Sequence, residues 1–337
     1  MCKDKRKYAK EIQMSRKKKN NNNTLLRTII YILILAGIWY LSKYTDIFAF
    51  ENEETKEAVV VEGKLEMHAI DVGQGDSILL LQNNKVMLVD SGPRASGKKV
   101  VEYLQNLGIK KIDILVGTHP HEDHIGGMAE VINNFDIGVL YTPNYDDTNI
   151  TTTYYMKFLD AVHTKNVKWQ YKKAKDKFKL GDASVLVLAP QNNYYEEVNN
   201  YSLVLKVTFG EVDIMLTGDA EELIENEIME NNKNIECEIL KLGHHGSSTS
   251  STEKFLKAVN PNYAIISAGV ANDYHHPHPS IVNRLKKLKI VLYRTDEQGD
   301  IVMTTDGENI EFNKKKGSYL TGDELYKRRN NENSRDR

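Results

Sequence analysis

The chain has 337 residues, of which 40% are apolar and 27% are charged. This composition is typical of a globular protein and excludes a collagen-like chain, a disulfide-stapled mini-protein and a wholly disordered chain. The two cysteines, Cys2 and Cys237, lie in a charged tail and between two glutamates. Their placement excludes a disulfide framework and a cysteine-based zinc finger.

Positive charge is concentrated at the N-terminus, where residues 1–43 contain eleven Lys or Arg and two Asp or Glu, whereas the remainder carries a net charge of −11. Residues 25–44 are predominantly apolar, which matches the ~20 residues of a membrane-spanning helix. Trp39 and Tyr40 are placed like an interfacial aromatic belt, and the basic residues before the apolar segment predict a cytoplasmic N-terminus. We therefore predict a single-pass signal-anchor in the cell membrane, with the following domain outside the cell. A cleaved signal peptide and a buried helix are the alternatives.

The predicted order is a basic cytoplasmic tail (1–24), a transmembrane signal-anchor (25–44), a linker (45–62), a folded domain (63–313) and a charged, flexible tail (314–337). Within the domain, apolar alternation and helical spacing predict mixed strands and helices in both halves. Predicted strands cover 65–72, 77–81, 86–89, 112–116, 184–188, 202–209, 212–216, 238–242, 263–267, 291–294, 301–304 and 310–312; predicted helices cover 98–107, a segment ending at 132, 221–229, 252–259 and 279–288. This pattern indicates an α/β fold in which two sheets pack face to face with helices outside.

The strongest motif follows the predicted strand 112–116 and reads Thr-His-Pro-His-Glu-Asp-His-Ile-Gly-Gly. It places His119, His121, Asp123 and His124 within six residues. Imidazole and carboxylate groups are good ligands for zinc, manganese or iron, so the motif predicts a metal site. The alternative is a solvated, histidine-rich loop, which does not explain why further candidate ligands follow other strands.

Those further candidates are one aspartate and two histidine clusters. Asp219 follows the apolar strand 212–216 and could bridge two metal ions, or it could cap the following helix. His244 and His245 follow the strand 238–242, and His276 and His278 alternate with Pro277 and Pro279 further along. Clustering of histidines after successive strands is hard to explain by packing alone, so we interpret them as functional residues.

With these motifs, the chain resembles the hydrolases of the metallo-β-lactamase fold, and within them the soluble domain of the competence protein ComEC. The resemblance covers residues 65–312 and is carried by a small set of ordered motifs. These are His-Ala-Ile-Asp-Val-Gly-Gln-Gly-Asp-Ser from His68, Val-Asp-Ser-Gly at Asp90, the histidine motif, Asn-Tyr-Ser-Leu-Val-Leu from Asn200, Leu-Thr-Gly-Asp219, Gly-His244-His245-Gly-Ser and His276-Pro-His278-Pro. It implies an αββα sandwich, two divalent metal ions (zinc or manganese) between the sheets, and hydrolysis by a metal-bound hydroxide.

Two departures from these relatives stand out. The chain has one predicted anchor rather than the many-helix channel of ComEC, which puts a role in DNA translocation in doubt. It also has Asn199, Asn200 and Ser202 where the wider superfamily places a third histidine for the first metal, although ComEC-like relatives share this departure.

The resemblance guides the assignment of roles. His119 and His121 are predicted to hold one metal ion, and Asp219 to bridge to the other. Asp123, His124 and a later histidine complete the second site, and we favour His276 over His245 for that position. Asp123, His244 and His245 are the predicted catalytic residues, the two histidines in acid or orienting roles. Asp71 and Asp90 are predicted to orient ligand histidines through hydrogen bonds, unless they serve only turns.

The substrate is less clearly marked. Residues 162–179 contain seven lysines with Trp169, Tyr171 and Phe178 between them, which could bind a phosphate backbone and stack bases, or form a solvated face. We predict an extracytoplasmic phosphodiesterase or nuclease whose partner is DNA or another phosphodiester polymer. The alternatives are a hydrolase of a small ester, lactone or β-lactam, and a non-enzymatic binding module with a vestigial metal site.

Overall fold

A computed structural model describes residues 28–40, 62–145 and 150–335. The chain divides into two compact units, 1–56 and 57–337. In the first unit, helix α1 covers residues 28–40. Within the described ranges, no helix combines the length and the hydropathy that a bilayer span requires. The predicted basic tail (1–24), both ends of the predicted anchor (25–27 and 41–44) and the linker up to residue 61 lie outside the described residues.

The second unit contains two mixed sheets. The first sheet has eight strands in the order β15-β14-β1-β2-β3-β4-β5-β6. Its strands are β1 (Leu65–Ala69), β2 (Ile78–Gln82), β3 (Lys85–Val89), β4 (Lys111–Val116), β5 (Asp136–Thr142), β6 (Trp169–Tyr171), β14 (Ile301–Thr305) and β15 (Ile310–Phe312). Asn83 and Asn84 both adopt positive φ between β2 and β3, as a two-residue hairpin turn requires. Strands β3 to β6 run parallel to one another.

The second sheet has seven strands in the order β13-β12-β11-β10-β9-β8-β7. Its strands are β7 (Lys177–Leu180), β8 (Ala183–Ala189), β9 (Val204–Phe209), β10 (Val212–Leu216), β11 (Ile239–Lys241), β12 (Tyr263–Ile266) and β13 (Val291–Arg294). Strands β10 to β13 are parallel. Each sheet therefore has four parallel strands. The carboxyl ends of these strands lie at the same end of the sandwich.

Helices cover the outer face of each sheet. The helices of this unit are α2 (Gly97–Asn106), α3 (Glu122–Ile125), α4 (Met128–Asn134), α5 (Thr153–Thr164), α6 (Glu222–Asn231), α7 (Glu253–Val259), α8 (Pro279–Leu288), α9 (Thr295–Gln298) and α10 (Gly322–Arg335). Helices α2, α4 and α5 pack on the first sheet, and α6, α7 and α8 pack on the second. The amphipathic spacing of α2 buries Val100, Val101 and Leu104 and exposes its charged side chains.

Three apolar layers result from this arrangement. The inner faces of the two sheets form the central layer, with Leu80 and Val89 from the first sheet and Leu205 and Ile214 from the second. The other two layers lie between a sheet and its helices. Because alternate residues of each strand point to opposite faces, every central strand contributes to two layers. This is the αββα sandwich that the sequence predicted.

Two regions differ from the predicted elements. Strands β5, β6 and β7 and helix α5 were not predicted. Strands β6 and β7 are only three and four residues long, and lysines alternate with the apolar residues of β7. The predicted flexible tail (314–337) contains helix α10, whose Leu325 is buried. At the start of that helix, the Gly322 N–H donates to the Pro277 carbonyl over 3.2 Å, and the Asp323 carboxylate pairs with His275 Nδ1 at 2.8 Å. These contacts explain how a highly charged segment adopts a defined position.

Candidate metal centre

The predicted site residues gather where the parallel strands of both sheets end. Asp90 follows β3, the histidine motif follows β4, Asp219 follows β10, and His244 and His245 follow β11. Ligands in open α/β sheets bind outside the carboxyl ends of parallel strands, where connecting loops diverge. The fold thus brings motifs from distant parts of the chain to one cluster between the sheets.

The first potential ligand group consists of His119, His121 and Asp219, whose ligand atoms lie within 4.8 Å of one another. His119 Nε2 is 3.0 Å from His121 Nδ1 and 3.9 Å from Asp219 Oδ2. His119 is buried, and burial lowers its pKa well below the usual value. A neutral imidazole is the form that binds a metal ion.

The second group consists of Asp123, His124, Asp219 and His245. His124 Nε2 lies 3.2 Å from Asp219 Oδ1, and His245 Nε2 lies 3.1 Å from Asp123 Oδ2 and 3.5 Å from Asp219 Oδ1. Asp219 is common to both groups. It caps no helix, since α6 begins at Glu222 with Glu221 as its N-cap. Of the two alternatives considered for Asp219, the bridging position is the one that the geometry supports.

His245, and not His276, belongs to this second group, so the predicted assignment of His276 as a ligand is corrected. His276 lies on the rim instead, with its Nδ1 3.3 Å from Gln74 Nε2 and its ring stacked on Tyr274 at 5.6 Å. Burial lowers the pKa of His276 to about 3. Sequence spacing could not distinguish the two histidines, because both follow strands of the same sheet.

Two buried atoms of the cluster test whether the residues suit a divalent cation. His124 Nε2 and Asp219 Oδ1 are buried and face each other at 3.2 Å, but their geometry does not make a hydrogen bond, and neither atom has another partner among the described residues. Buried polar atoms are nearly always paired, and an unpaired lone pair facing other ligand atoms is expected where a cation binds. Mixed imidazole and carboxylate donors suit zinc or manganese. The residues present therefore fit two divalent ions that share Asp219.

The electrostatics of the cluster also favour a cation. Burial alone would lower the pKa of His124, but the carboxylates of Asp219 and Asp90 hold it well above its usual value. Burial alone would raise the pKa of Asp219, but His124 and His245 hold it well below the usual range. The carboxylates thus create a negative field between the sheets, and this field would attract a metal ion as it attracts protons to the imidazoles.

Asp90 makes the contact with His124 that its predicted orienting role requires. Its Oδ2 lies 2.7 Å from His124 Nδ1, which leaves Nε2 facing Asp219. The Thr118 N–H donates to Asp90 Oδ1 over 2.8 Å, and the Thr118 hydroxyl donates to Oδ2 over 2.7 Å. A carboxylate that accepts from the far nitrogen of a ligand histidine selects the tautomer and the ring orientation.

Asp71, in contrast, contacts none of the ligand histidines, so its predicted orienting role is wrong. Its carboxylate accepts from the Gly73 N–H over 3.1 Å and pairs with Lys99 at 3.5 Å. It is an aspartate of a turn, which was the alternative interpretation.

The carboxylate that faces His245 is Asp76, whose role the sequence left open. Its Oδ1 lies 3.4 Å from His245 Nδ1, whose N–H donates to the Ser267 carbonyl over 3.0 Å. Asp76 is in turn held by the ammonium group of Lys241, at 2.8 Å from each carboxylate oxygen. Lys241 was not predicted as part of the site, although a lysine inside the apolar run 239–242, which begins with β11, is a signal of a buried ion pair.

His244 and His245 have an unusual backbone. Both adopt left-handed conformations, with φ of 49° and 55°. Consecutive non-glycine residues rarely do so, and each costs on the order of 1–3 kcal/mol. The turn directs His245 inward and His244 towards solvent, where His244 Nε2 lies 3.7 Å from Asp219 Oδ2 and Nδ1 lies 3.1 Å from the Thr249 hydroxyl. His244 is thus a partly exposed imidazole beside the cluster.

The cluster forms the floor of an open cavity of about 610 Å³. Carboxylates, imidazoles and two tyrosines dominate its walls, and no Lys or Arg lies among its described lining residues. The lining residues are Gln74, Pro93, His121, Glu122, Asp123, Tyr154, Asp219, His244, His245, Tyr274 and His276. A substrate in this cavity would contact the ligand groups without meeting a cationic side chain.

Comparison with known proteins agrees with this geometry. A family model of the metallo-beta-lactamase superfamily matches residues 70–270, which include both ligand groups. The chain belongs to the metallo-beta-lactamase superfamily. Superfamily membership accounts for the two sheets and for the position of the histidine motif at the end of β4.

Curated relatives are ComEC-like competence proteins, as the motifs predicted. The chain is 35% identical over 259 residues to ComE operon protein 3 of Bacillus subtilis (strain 168), an alignment that covers 71% of this chain and 33% of that protein. It is 32% identical over 233 residues to competence protein ComA of Neisseria gonorrhoeae, covering 68% of this chain and 30% of that protein. The chain therefore spans about a third of the length of these relatives.

Among solved structures, the crystal structure of the metallo-beta-lactamase fold protein YhfI from Bacillus subtilis superposes with a TM-score of 0.50 at 12% sequence identity. The superposition covers 72% of this chain and 100% of that chain. At this level of identity, the likeness concerns the fold alone.

Proposed function

We propose that this superfamily member is a membrane-anchored, extracytoplasmic metal-dependent phosphodiesterase that cleaves nucleic acid. One observation carries the proposal: two ligand groups share Asp219 on the floor of an open cavity. Two adjacent divalent ions are the usual means of stabilising both the attacking and the leaving oxygen of a phosphoryl group. The similarity to competence proteins supports nucleic acid as the substrate class.

The chain's own residues have distinct parts in the proposed reaction. When bound, divalent ions would supply Lewis-acid charge stabilisation and lower the pKa of water. Asp90 and the Ser267 carbonyl hydrogen-bond the far nitrogens of His124 and His245, so the cluster is preorganised before substrate arrives. His244 faces the cavity beside Asp219 and is placed to transfer a proton to the leaving oxygen.

The membrane anchor is the second part of the proposal. It is supported by the apolar run at 25–44 and by the nine Lys or Arg that precede residue 20. An alkaline phosphatase fused to the C-terminus should be active only if that end lies outside the cytoplasm. An inactive phosphatase fusion together with an active cytoplasmic reporter at the same position would contradict the outward orientation.

The catalytic part is tested with the full chain in detergent. Metal content is measured first, and hydrolysis of bis-p-nitrophenyl phosphate and single-stranded DNA is then assayed with manganese or zinc. Asp123→Asn should reduce the rate of both reactions by at least ~100-fold. Asp136→Asn is the matched control, since Asp136 is an exposed carboxylate at the opposite end of the first sheet. Bound metal without phosphodiester cleavage would contradict the proposal.

The composition of the cavity favours one alternative reaction. Because the described cavity walls carry no Lys or Arg, no cationic side chain there would compensate the negative charge of a bound phosphate. A neutral ester, lactone or β-lactam needs no such compensation. A panel of such substrates distinguishes the two reactions. Turnover of a neutral substrate that is lost in Asp123→Asn, with no cleavage of either phosphodiester, would establish the alternative.

A further inference from the structure

Cationic side chains are absent from the described cavity walls but are concentrated on a nearby surface. We call this surface the lysine edge. It comprises Lys165, Lys168, Lys172, Lys173, Lys175, Lys177 and Lys179. Strand β6 is the outermost strand of the first sheet, and β7 is the outermost strand of the second. The lysine edge therefore follows the side of the sandwich where both sheets end.

The lysines of this edge are largely solvated and form no ion pair with a described residue. Six of the seven are exposed, and Lys172 is half-buried with its Nζ 4.5 Å from the centre of the Tyr141 ring. No described carboxylate lies within 4.0 Å of any of the seven ammonium groups. The single acid of the stretch, Asp176, accepts a hydrogen bond from the Lys173 backbone N–H. A dense, uncompensated positive surface is notable because residues 44–337 carry a net negative charge.

Part of the edge lies at the same end of the sandwich as the metal centre. The Lys172 N–H donates to the carbonyl of Thr142, at the carboxyl end of β5, over 2.8 Å. The Ala174 N–H donates to the Pro190 carbonyl, just after β8, over 2.9 Å. Strand β6 is two strands away from β4, which is about 10 Å at the usual strand spacing. A strand of nucleic acid in the cavity would reach Lys172 to Lys175 within a few nucleotides.

We propose that the lysine edge binds the phosphate backbone of a single-stranded nucleic acid whose reacting phosphodiester lies in the cavity. This inference rests on the proposed function and identifies the surface that would contact the nucleic-acid substrate. Tyr171 fits the same role, because it is 57% exposed among the lysines and its ring packs edge-on against Trp169 at 5.8 Å. Exposed aromatic rings beside lysines are typical of single-strand binding, where bases stack on the rings.

A structural explanation competes with this one. Lysines on edge strands prevent one sheet from pairing with the edge of another molecule. That explanation predicts that removing the lysines increases aggregation and leaves nucleic-acid affinity unchanged. The two explanations therefore differ in a measurable quantity.

The test measures binding separately from cleavage, in full chain carrying Asp123→Asn, with a fluorescent single-stranded 20-mer of DNA. The variant Lys173→Gln/Lys175→Gln/Lys177→Gln should bind at least ~10-fold more weakly at 0.1 M salt. The slope of log K against log salt should fall by about 2, since each neutralised phosphate of a single strand contributes about 0.7. The matched control is Lys254→Gln/Lys286→Gln/Lys289→Gln, three exposed lysines of α7 and α8 and their ends, which should bind like the parent.

Tyr171→Ala should weaken binding without changing the salt slope, and Tyr171→Phe should restore it, because stacking requires the ring and not the hydroxyl. Equal affinity and slope in the two triple variants would overturn the inference, and faster aggregation of the edge variant would then assign the lysines to edge protection. Failure of the proposed function is distinguishable: a chain that binds through the edge but cleaves no DNA retains the inference and loses the phosphodiesterase activity.

Discussion

Lys241 and Asp76 form a buried ion pair between the sheets, with 2.8 Å from the ammonium nitrogen to each carboxylate oxygen. Both side chains are almost fully buried, and the lysine also donates to the Leu242 carbonyl over 3.0 Å. Asp76 faces His245, which belongs to the second ligand group. The pair therefore links strand β11 to the ring orientation of a candidate metal ligand.

Lys241→Met should destabilise the protein strongly, because it leaves the Asp76 carboxylate buried without its counter-charge. Breaking such a pair costs about 3–5 kcal/mol, whereas replacing both partners by apolar residues is often neutral. Lys241→Met/Asp76→Leu should therefore recover most of the free energy of unfolding in urea while metal affinity stays low. A single variant as stable as the parent would show that the ion pair contributes little.

Asp90→Asn should weaken metal binding by about 10–100-fold, because the amide no longer selects the tautomer of His124 that presents Nε2. Calorimetric titration with zinc or manganese measures this effect. Asp71→Asn provides the comparison, since Asp71 belongs to a turn remote from the ligand histidines. Equal losses in both variants would refute a specific role for Asp90.

Metal removal should lower thermal stability. A ligand that binds only the folded state at 100 times its Kd stabilises that state by about 2.7 kcal/mol, so a chelator should lower the Tm measured by calorimetry. Asp219→Asn should abolish most of this metal-dependent shift, because Asp219 contributes to both ligand groups. A chelator-induced shift of equal size in the parent and in Asp219→Asn would place the metal ion elsewhere.

The carboxyl group of Glu253 leads to a prediction about how the stability of the protein depends on pH. Hydrogen bonds from Lys257 and Lys287 lower the pKa of this carboxyl to about 2, from an ordinary value of 4.5. Because the pKa is depressed in the folded state, the stabilisation is fully present above pH 4.5 and is lost as pH falls through about 2. The stability difference between the parent and Glu253→Gln, measured in urea, should therefore be constant near neutral pH and shrink below pH 4. High salt should reduce it at every pH, since the groups are solvated.

The αββα architecture could be predicted because most strands are short apolar runs, several of which are followed by a glycine or an aspartate. Strands β6 and β7 could not, since they are only three and four residues long and lysines occupy the exposed positions of β7. The sequence Lys-Phe-Lys-Leu of β7 alternates charged and apolar residues, as an edge strand does, but its two lysines mask the apolar pattern by which strands are predicted. The segment after β15 lacks apolar periodicity, and α10 depends on tertiary contacts such as the buried Leu325.

The local motif around His119 predicted four of the six residues in the two ligand groups, because neighbouring residues of a strand end share one environment. Contacts between distant segments were harder to predict. The left-handed backbone at His244 and His245 turns one ring inward and the other outward, and no spacing rule encodes that choice. Likewise, the contact between Lys241 and Asp76 joins residues 165 positions apart.

The backbone at His244 and His245 also has a consequence for evolution and engineering. Glycine would adopt both conformations without strain, so stability alone would select glycine there. The chain instead retains two imidazoles, and the three apolar layers of the sandwich compensate for the strain. Selection for thermostability alone would favour substitutions at these two positions first. The most stable variants would then lack the imidazoles on which the proposed activity depends.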